Sequence, residues 1–255
     1  MRVGAKTDQG KVRERNEDAY GFRNNFFVLA DGMGGHSAGE VASSIAVETI
    51  LNSSIIGFQE GDYLNLGASD FGPPKLSPTQ EDDLKIAIKE SILRANRSIL
   101  EEVNLHPENK GMGTTVTVLY VTEGRAFFAH IGDSRIYQLS NGSLVQLTDD
   151  HSLVAELIKN GVISEKEARN HSQRNILTQA LGTECALEFE VAVIPAKTGD
   201  KFLLCSDGLN GVLEDSIIKT QLALSDDPQN IAEQLVFLAN EKGGPDNITV
   251  IVVEI

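Results

Sequence analysis

Tryptophan is absent from this 255-residue chain, and aromatic residues of any kind make up only 5% of it. Aliphatic side chains must therefore fill the core, and a hydrophobic content of 41% is enough for a sizeable one. Only two cysteines occur, Cys185 and Cys205, too few for a disulfide framework or a thiolate zinc site. Cys205 lies in an apolar run and reads as a small core residue. No stretch approaches the roughly 20 apolar residues of a membrane span, and the start, Met1-Arg2-Val3-Gly4, opens no apolar signal core. A cytoplasmic, reducing setting is the expectation. Basic charge is also scarce: 22 Lys and Arg stand against 37 Asp and Glu, a net −15. That balance argues against nucleic acid as a partner, because a phosphate backbone demands clustered cations. A single phosphate on a protein needs far fewer. A field this negative repels acidic substrates at long range and favours a divalent cation.

What is present is organised around Phe26-Phe27-Val28-Leu29-Ala30-Asp31-Gly32-Met33-Gly34-Gly35-His36. An apolar run of strand length ends in a carboxylate, and a glycine-rich turn and an imidazole follow. Glycines permit such a turn and leave backbone carbonyls uncovered. Taken alone, the stretch is equally a plain strand-turn-helix corner with a solvated Asp.

Around it, residues 2–7, 18–23 and 26–31 read as strands, with Asn24-Asn25 a tight turn. Helical spacing of apolar residues predicts helices over 38–56 and 81–104. The Gly- and Pro-rich stretch 57–80 between them reads as a long exposed loop. From Met112 the period changes to two, giving strands over 114–121, 125–131, 135–139 and 144–147. Glu123-Gly124 and Asn141-Gly142 are the hairpin signals among them. Residues 149–187 break the rhythm with two short helical patterns (152–160 and 164–170) and read as an insertion. Strands over 188–194 and 201–206, helices over 214–223 and 229–242, and a last strand over 247–255 complete the chain. Hairpin-paired strands with helices arriving in pairs predict an α+β fold of antiparallel sheets packed together and covered by helices.

Five aspartates share one local context. Asp18, Asp31, Asp133, Asp207 and Asp246 all sit at strand edges or ends, with Gly or Asn beside each or, for Asp18, two residues before it. Gathered carboxylates repel one another unless a cation neutralises them. All-oxygen ligation points to Mg²⁺ or Mn²⁺, and several Asp around hard cations is the composition of a two-metal phosphoryl-transfer site. Such a site needs a cation for phosphate and an acid for the leaving group. Arg13, a planar fork with Arg15 nearby as the competing choice, and His36 are the candidates.

Six motifs then appear in order: Arg13-x-x-Asn16-Glu17-Asp18, Asp31-Gly32-Met33-Gly34-Gly35-His36, Gly111-Met112-Gly113-Thr114-Thr115, His130-Ile131-Gly132-Asp133-Ser134-Arg135, Ser206-Asp207-Gly208-Leu209 and Gly244-x-Asp246-Asn247. Together they resemble the metal-dependent serine/threonine protein phosphatases of the PPM type (protein phosphatase 2C), most closely the short bacterial members. The resemblance covers nearly the whole chain. It implies one phosphatase domain over 1–255, a four-layer α-β-β-α sandwich of two antiparallel sheets flanked by helix pairs, with a dimetal site at one end. By resemblance Asp31 bridges both metals and the Gly32 carbonyl binds one. Asp207 and Asp246 hold the first, and Glu17 and Asp18 lie on the side of the second. Asp133 and Asp207 bind a weaker third, Arg13 takes the phosphate, and His36 is the general acid. Residues 149–187 match the flap, with His171 where some relatives carry a histidine that affects substrate choice. The loop 57–80 is longer than the family's usual connection.

The implied activity is hydrolysis of phosphoserine and phosphothreonine in proteins by a water between two Mn²⁺ or Mg²⁺ ions, opposing a bacterial Ser/Thr kinase. A monomer is expected. Two other readings stand beside it: a partner-switching phosphatase acting on an anti-sigma-factor antagonist, and a non-catalytic module that kept the fold without the metals. His130 reads as a core histidine, His106 as loop and His151 as a helix start. Ser134 and Ser206 lack the base and orienting partner that a nucleophile requires.

Overall fold

The computed structural model describes residues 1–34, 38–53, 78–122, 124–169, 171–183, 186–224 and 227–255. Eleven strands among these residues form two antiparallel sheets. The first contains β1 (Arg2–Asp8), β7 (Arg135–Ser140), β8 (Ser143–Gln146), β10 (Lys201–Cys205) and β11 (Ile248–Glu254), in the order β1-β11-β10-β7-β8. The second contains β2 (Asp18–Arg23), β3 (Phe26–Met33), β5 (Val116–Thr122), β6 (Arg125–Ile131) and β9 (Ala192–Pro195), in the order β2-β3-β5-β6-β9. The two-residue β4 (Gly113–Thr114) pairs with the end of β3.

Alternation along the strands sends one set of side chains between the sheets and the other set outward under helices. Phe27, Leu29, Phe202, Leu204 and Ile251 fill the space between the sheets. Phe26, Val28, Val118 and Phe127 point the other way, against α1 (Gly39–Leu51) and α2 (Pro78–Leu105). On the far side Leu203, Cys205, Val250 and Val252 meet α6 (Asp215–Leu224) and α7 (Pro228–Glu241). Three stacked cores make four layers, the α-β-β-α sandwich expected from the sequence. Each fully buried Phe or Leu contributes about 1.5–3 kcal/mol of transfer free energy. In a chain without Trp, Tyr137 and four phenylalanines are among the largest wholly buried side chains.

Local chemistry explains where elements stop. The β7–β8 hairpin turns at Asn141 and Gly142, with φ of 50° and 74°, the left-handed pair that Asn-Gly favours. The expected helix over 38–56 ends earlier, at Leu51. The Asn52 N–H closes the last turn on Glu48 O, and the Ser53 hydroxyl donates to Ile50 O at 2.6 Å. Of the expected loop 57–80, residues 78–80 open α2, and the rest lies outside the described residues.

Two elements were not expected. One is a 3-10 turn at Pro107–Asn109, and the other is the short helix α5 (Asp207–Asn210). The strand expected over 188–194 is confined to Ala192–Pro195. Leu187, Phe189 and Val191 alternate because they pack on the core under α1 and α2, outside any strand pairing. Within 149–187 lie α3 (Leu153–Lys159) and α4 (Glu165–Ala168), and bridges Ser152–Leu177 and Thr114–Leu181 fasten the segment down.

Candidate active site

Antiparallel register places Asp18 of β2 directly opposite Asp31 of β3. The backbone of Asp31 is fully engaged: its N–H donates to Thr115 Oγ1 (2.9 Å), and its carbonyl accepts from the Thr115 N–H (2.8 Å) and Thr114 Oγ1 (2.9 Å). Only the carboxylate is left to face the recess. From the other sheet, β10 ends at Cys205 and the chain turns through Ser206 into α5, whose first residue is Asp207. Its neighbour β11 is preceded by Asp246, and the crossing between β6 and β7 supplies Asp133.

These carboxylates act on one another. Burial, then Asp18, Asp207, Asp133 and Asp246, push Asp31 well above the ordinary carboxylate range. Asp207 is driven up in the same way, by burial and then by Asp133, Asp246 and Asp18. Burial raises Asp18 to about 6, with Asp246 adding to it against hydrogen bonds that pull the other way. Asp133 also stands at about 6, from burial and then Asp150. All five aspartates keep some surface, so the recess opens to solvent.

The donor set fits hard divalent cations. Asp18 accepts from the buried Ser206 hydroxyl on Oδ2 at 2.8 Å, while its Oδ1 is buried without a protein partner. An acceptor so placed is costly unless something electropositive meets it. Among the described residues no three His, Cys, Asp or Glu side chains are grouped so as to enclose an ion by themselves. A hard cation such as Mg²⁺ usually completes its shell with water, so a preformed cage of protein ligands is not required.

The other expected site residues divide. Arg13 is half exposed and donates from Nη2 to Asp246 Oδ2 at 2.7 Å. Glu17 approaches through its backbone: its carbonyl accepts from Gly32 N–H at 3.2 Å and from Ser43 Oγ at 2.6 Å. Its carboxyl is raised by burial and by Glu40. His171 follows α4, where its Nδ1 accepts from Gln173 N–H at 3.2 Å. Among the described residues it makes no hydrogen bond or ion pair with the aspartates. His36 lies outside the described residues.

Sequence reasoning passed over several residues that hold the site. Ser206, dismissed as a nucleophile, fixes the orientation of Asp18 and accepts from Thr249 N–H at 2.9 Å. His151, read as a helix start, stacks on His130 with ring centroids 4.5 Å apart. Its Nδ1 accepts from the N–H of Gly132, just before Asp133, at 3.2 Å. Burial and then His130 hold the His151 imidazole down at about 4, so it is a neutral acceptor at pH 7. Arg135 forks onto Asp150 at 2.8 and 2.7 Å, which anchors this corner. At Gly208 a Cβ would stand 2.0 Å from Asn247 O, so only glycine lets α5 approach the start of β11. For Ser206, Arg135 and Gly208 the signal was their place inside the Asp motifs, which did not say which atoms they touch; His151 and Asp150 lie outside those motifs.

The family model of protein phosphatase 2C matches residues 9–239. The chain belongs to the protein phosphatase 2C family. It is 36% identical over 263 residues to a serine/threonine phosphatase stp of Listeria monocytogenes, covering 100% of this chain and 96% of that protein. The crystal structure of the Mycobacterium tuberculosis serine/threonine phosphatase PstP/Ppp matches with a TM-score of 0.85 at 35% identity. That match covers 100% of this chain and 98% of the other. The catalytic domain of PstP solved in complex with two manganese ions matches with a TM-score of 0.81 at 33% identity, covering 99% and 97%. This chain is thus a phosphatase by family, and its relatives include one seen with two ions.

Proposed function

We propose that this phosphatase removes phosphate from phosphoserine and phosphothreonine in proteins, with two Mn²⁺ or Mg²⁺ ions held in the aspartate recess. One observation carries the reading: carboxylates from both sheets are pressed together at one end of the sandwich, and Asp18 keeps a buried, unpartnered oxygen. Asp31 stands between the other carboxylates and is assigned to both ions, with the Gly32 carbonyl on one. Asp207 and Asp246 serve the first ion, and Asp18 with Glu17 the second. Asp133, beside Asp207, is assigned to a weaker third. Bound divalent ions supply positive charge for the phosphoryl oxygens and acidify a water for attack. Arg13 offers its planar fork to the substrate phosphate while one arm rests on Asp246. Hydrolysis breaks the bond between phosphorus and the serine or threonine oxygen, and inorganic phosphate leaves with the restored hydroxyl.

The names of the relatives support serine and threonine phosphoproteins as substrates; the proposal takes a bacterial Ser/Thr kinase as their source. Among the described residues no helix is long and apolar enough to cross a membrane. The test is phosphate release from a phosphothreonine peptide by chelator-stripped protein, before and after Mn²⁺ is restored, with Asp207→Ala in parallel. Release should return with metal in the wild type and stay about a thousandfold lower in the variant. Comparable release by the variant would sink the assignment.

A further inference from the structure

The segment 9–17 carries Arg13 and Glu17 yet contains no helix or strand, and it is exposed from Lys11 to Arg15. An exposed loop of this kind does not hold a guanidinium in one place unless something fastens it. The structure shows what does. The side chain of Asn247, 5% exposed, spans the loop. Its Nδ2 donates to Gln9 O at 2.9 Å and to Arg15 O at 2.8 Å, and its Oδ1 accepts from Glu17 N–H at 2.8 Å. One carboxamide thus uses both donors and its acceptor on three backbone groups of the same loop. Gln9 then reaches across it, with Nε2 donating to Arg13 O at 2.7 Å. The anchor is itself anchored, because the Asn247 backbone N–H donates to Asp246 Oδ1 at 2.9 Å, while Arg13 binds the other oxygen of Asp246 at 2.7 Å.

We infer that Asn247 is a positioning residue, whose side chain sets the place of the Arg13 guanidinium and thereby the affinity for the phosphoryl group. Asn247 touches no reacting atom. It acts through the loop, and no other single side chain type carries this pattern: Asp lacks the two donors, Ala lacks all three groups, and the longer Gln displaces them. The inference rests on the proposed role of Arg13, and its test separates the two.

The probe is inorganic phosphate as a competitive inhibitor, measured at saturating Mn²⁺ beside KM and kcat for a phosphothreonine peptide. Arg13→Ala should weaken phosphate inhibition about tenfold, the loss of one charged hydrogen-bonding group. Asn247→Asp, which keeps the acceptor and removes both donors, should approach that effect, with KM rising more than kcat falls. The double variant should then be hardly worse than Arg13→Ala, because both changes remove one interaction. Should Asn247→Asp lose its cooperative melting transition, Gln9→Ala at an exposed position takes its place. It should raise KM about threefold in the wild type and not at all beside Arg13→Ala. Effects that multiply in the double variant, or unchanged phosphate inhibition in Asn247→Asp or its substitute, would overturn the inference and leave Asn247 a residue of stability alone. If Arg13→Ala itself leaves phosphate inhibition unchanged, the role proposed for Arg13 fails, and the inference falls with it.

Discussion

Asp31→Asn is expected to lower turnover of a phosphothreonine peptide on the order of a thousandfold and to raise the melting temperature of the metal-free protein by a few degrees. The two effects have one origin. Asp31 lies among Asp18, Asp207, Asp133 and Asp246, which together with burial push its carboxyl far up. An amide of the same shape carries no charge to repel them, so the empty fold gains. At about 2–4 °C per kcal/mol for a chain of this size class, a gain of ~1 kcal/mol is measurable by calorimetry. The same substitution withdraws the charge that holds the ions, and with it several kcal/mol of transition-state stabilisation, each 1.4 kcal/mol being about tenfold in rate. Function taken at the expense of stability is the mark of an active site. A variant that is inactive and also less stable without metal would indicate ordinary structural damage.

Divalent metal should stabilise this protein strongly at pH 7.5 and weakly at pH 5. Asp18 and Asp133 stand at about 6 in the folded protein, against an ordinary aspartate value of about 3.9. The native state therefore binds their protons more tightly than the unfolded chain does. On this contribution, metal-free stability is fully present below about pH 4 and is lost as pH rises through about 6. The net charge of −15 works in the same direction at neutral pH. Mn²⁺ at about 100 times its dissociation constant adds ~2.7 kcal/mol by mass action, or roughly 5–10 °C. At pH 5 protons hold the same oxygens and the gain shrinks. Melting curves with chelator and with Mn²⁺ at the two pH values check it; a larger metal effect at pH 5 contradicts the account.

Asp31 and Asp207 were legible because the sequence announces them locally, with an apolar run, a carboxylate and then Gly, and Asp133 and Asp246 because Gly or Asn stands beside them at a strand boundary. The sheets were legible from alternation and from turn chemistry at Asn24 and Asn141. What escaped depends on approach between distant segments. Asn247 is separated by some 230 positions from Glu17, whose N–H it accepts, and no local pattern says that its amide spans a loop. Ser206 is 188 positions from Asp18. The alternation over 187–191 misled in the opposite sense, since packing on a helical core produces the period of a strand without pairing. Helix α1 ended early because Asn52 and Ser53 close it through hydrogen bonds that hydrophobic spacing does not register.

On the function proposed above, bound metal relieves the repulsion among the carboxylates of the aspartate recess. Calorimetric titration of Mn²⁺ into metal-free protein, repeated at pH 6 and pH 8 in buffers of different ionisation enthalpy, tests it most directly. Carboxylates held at about 6 must give up protons to bind metal. Binding at pH 6 should therefore release more protons and be weaker than at pH 8, and Asp31→Asn should abolish the tight phase. Binding that is independent of pH, releases no protons, or survives intact in Asp31→Asn would contradict the account.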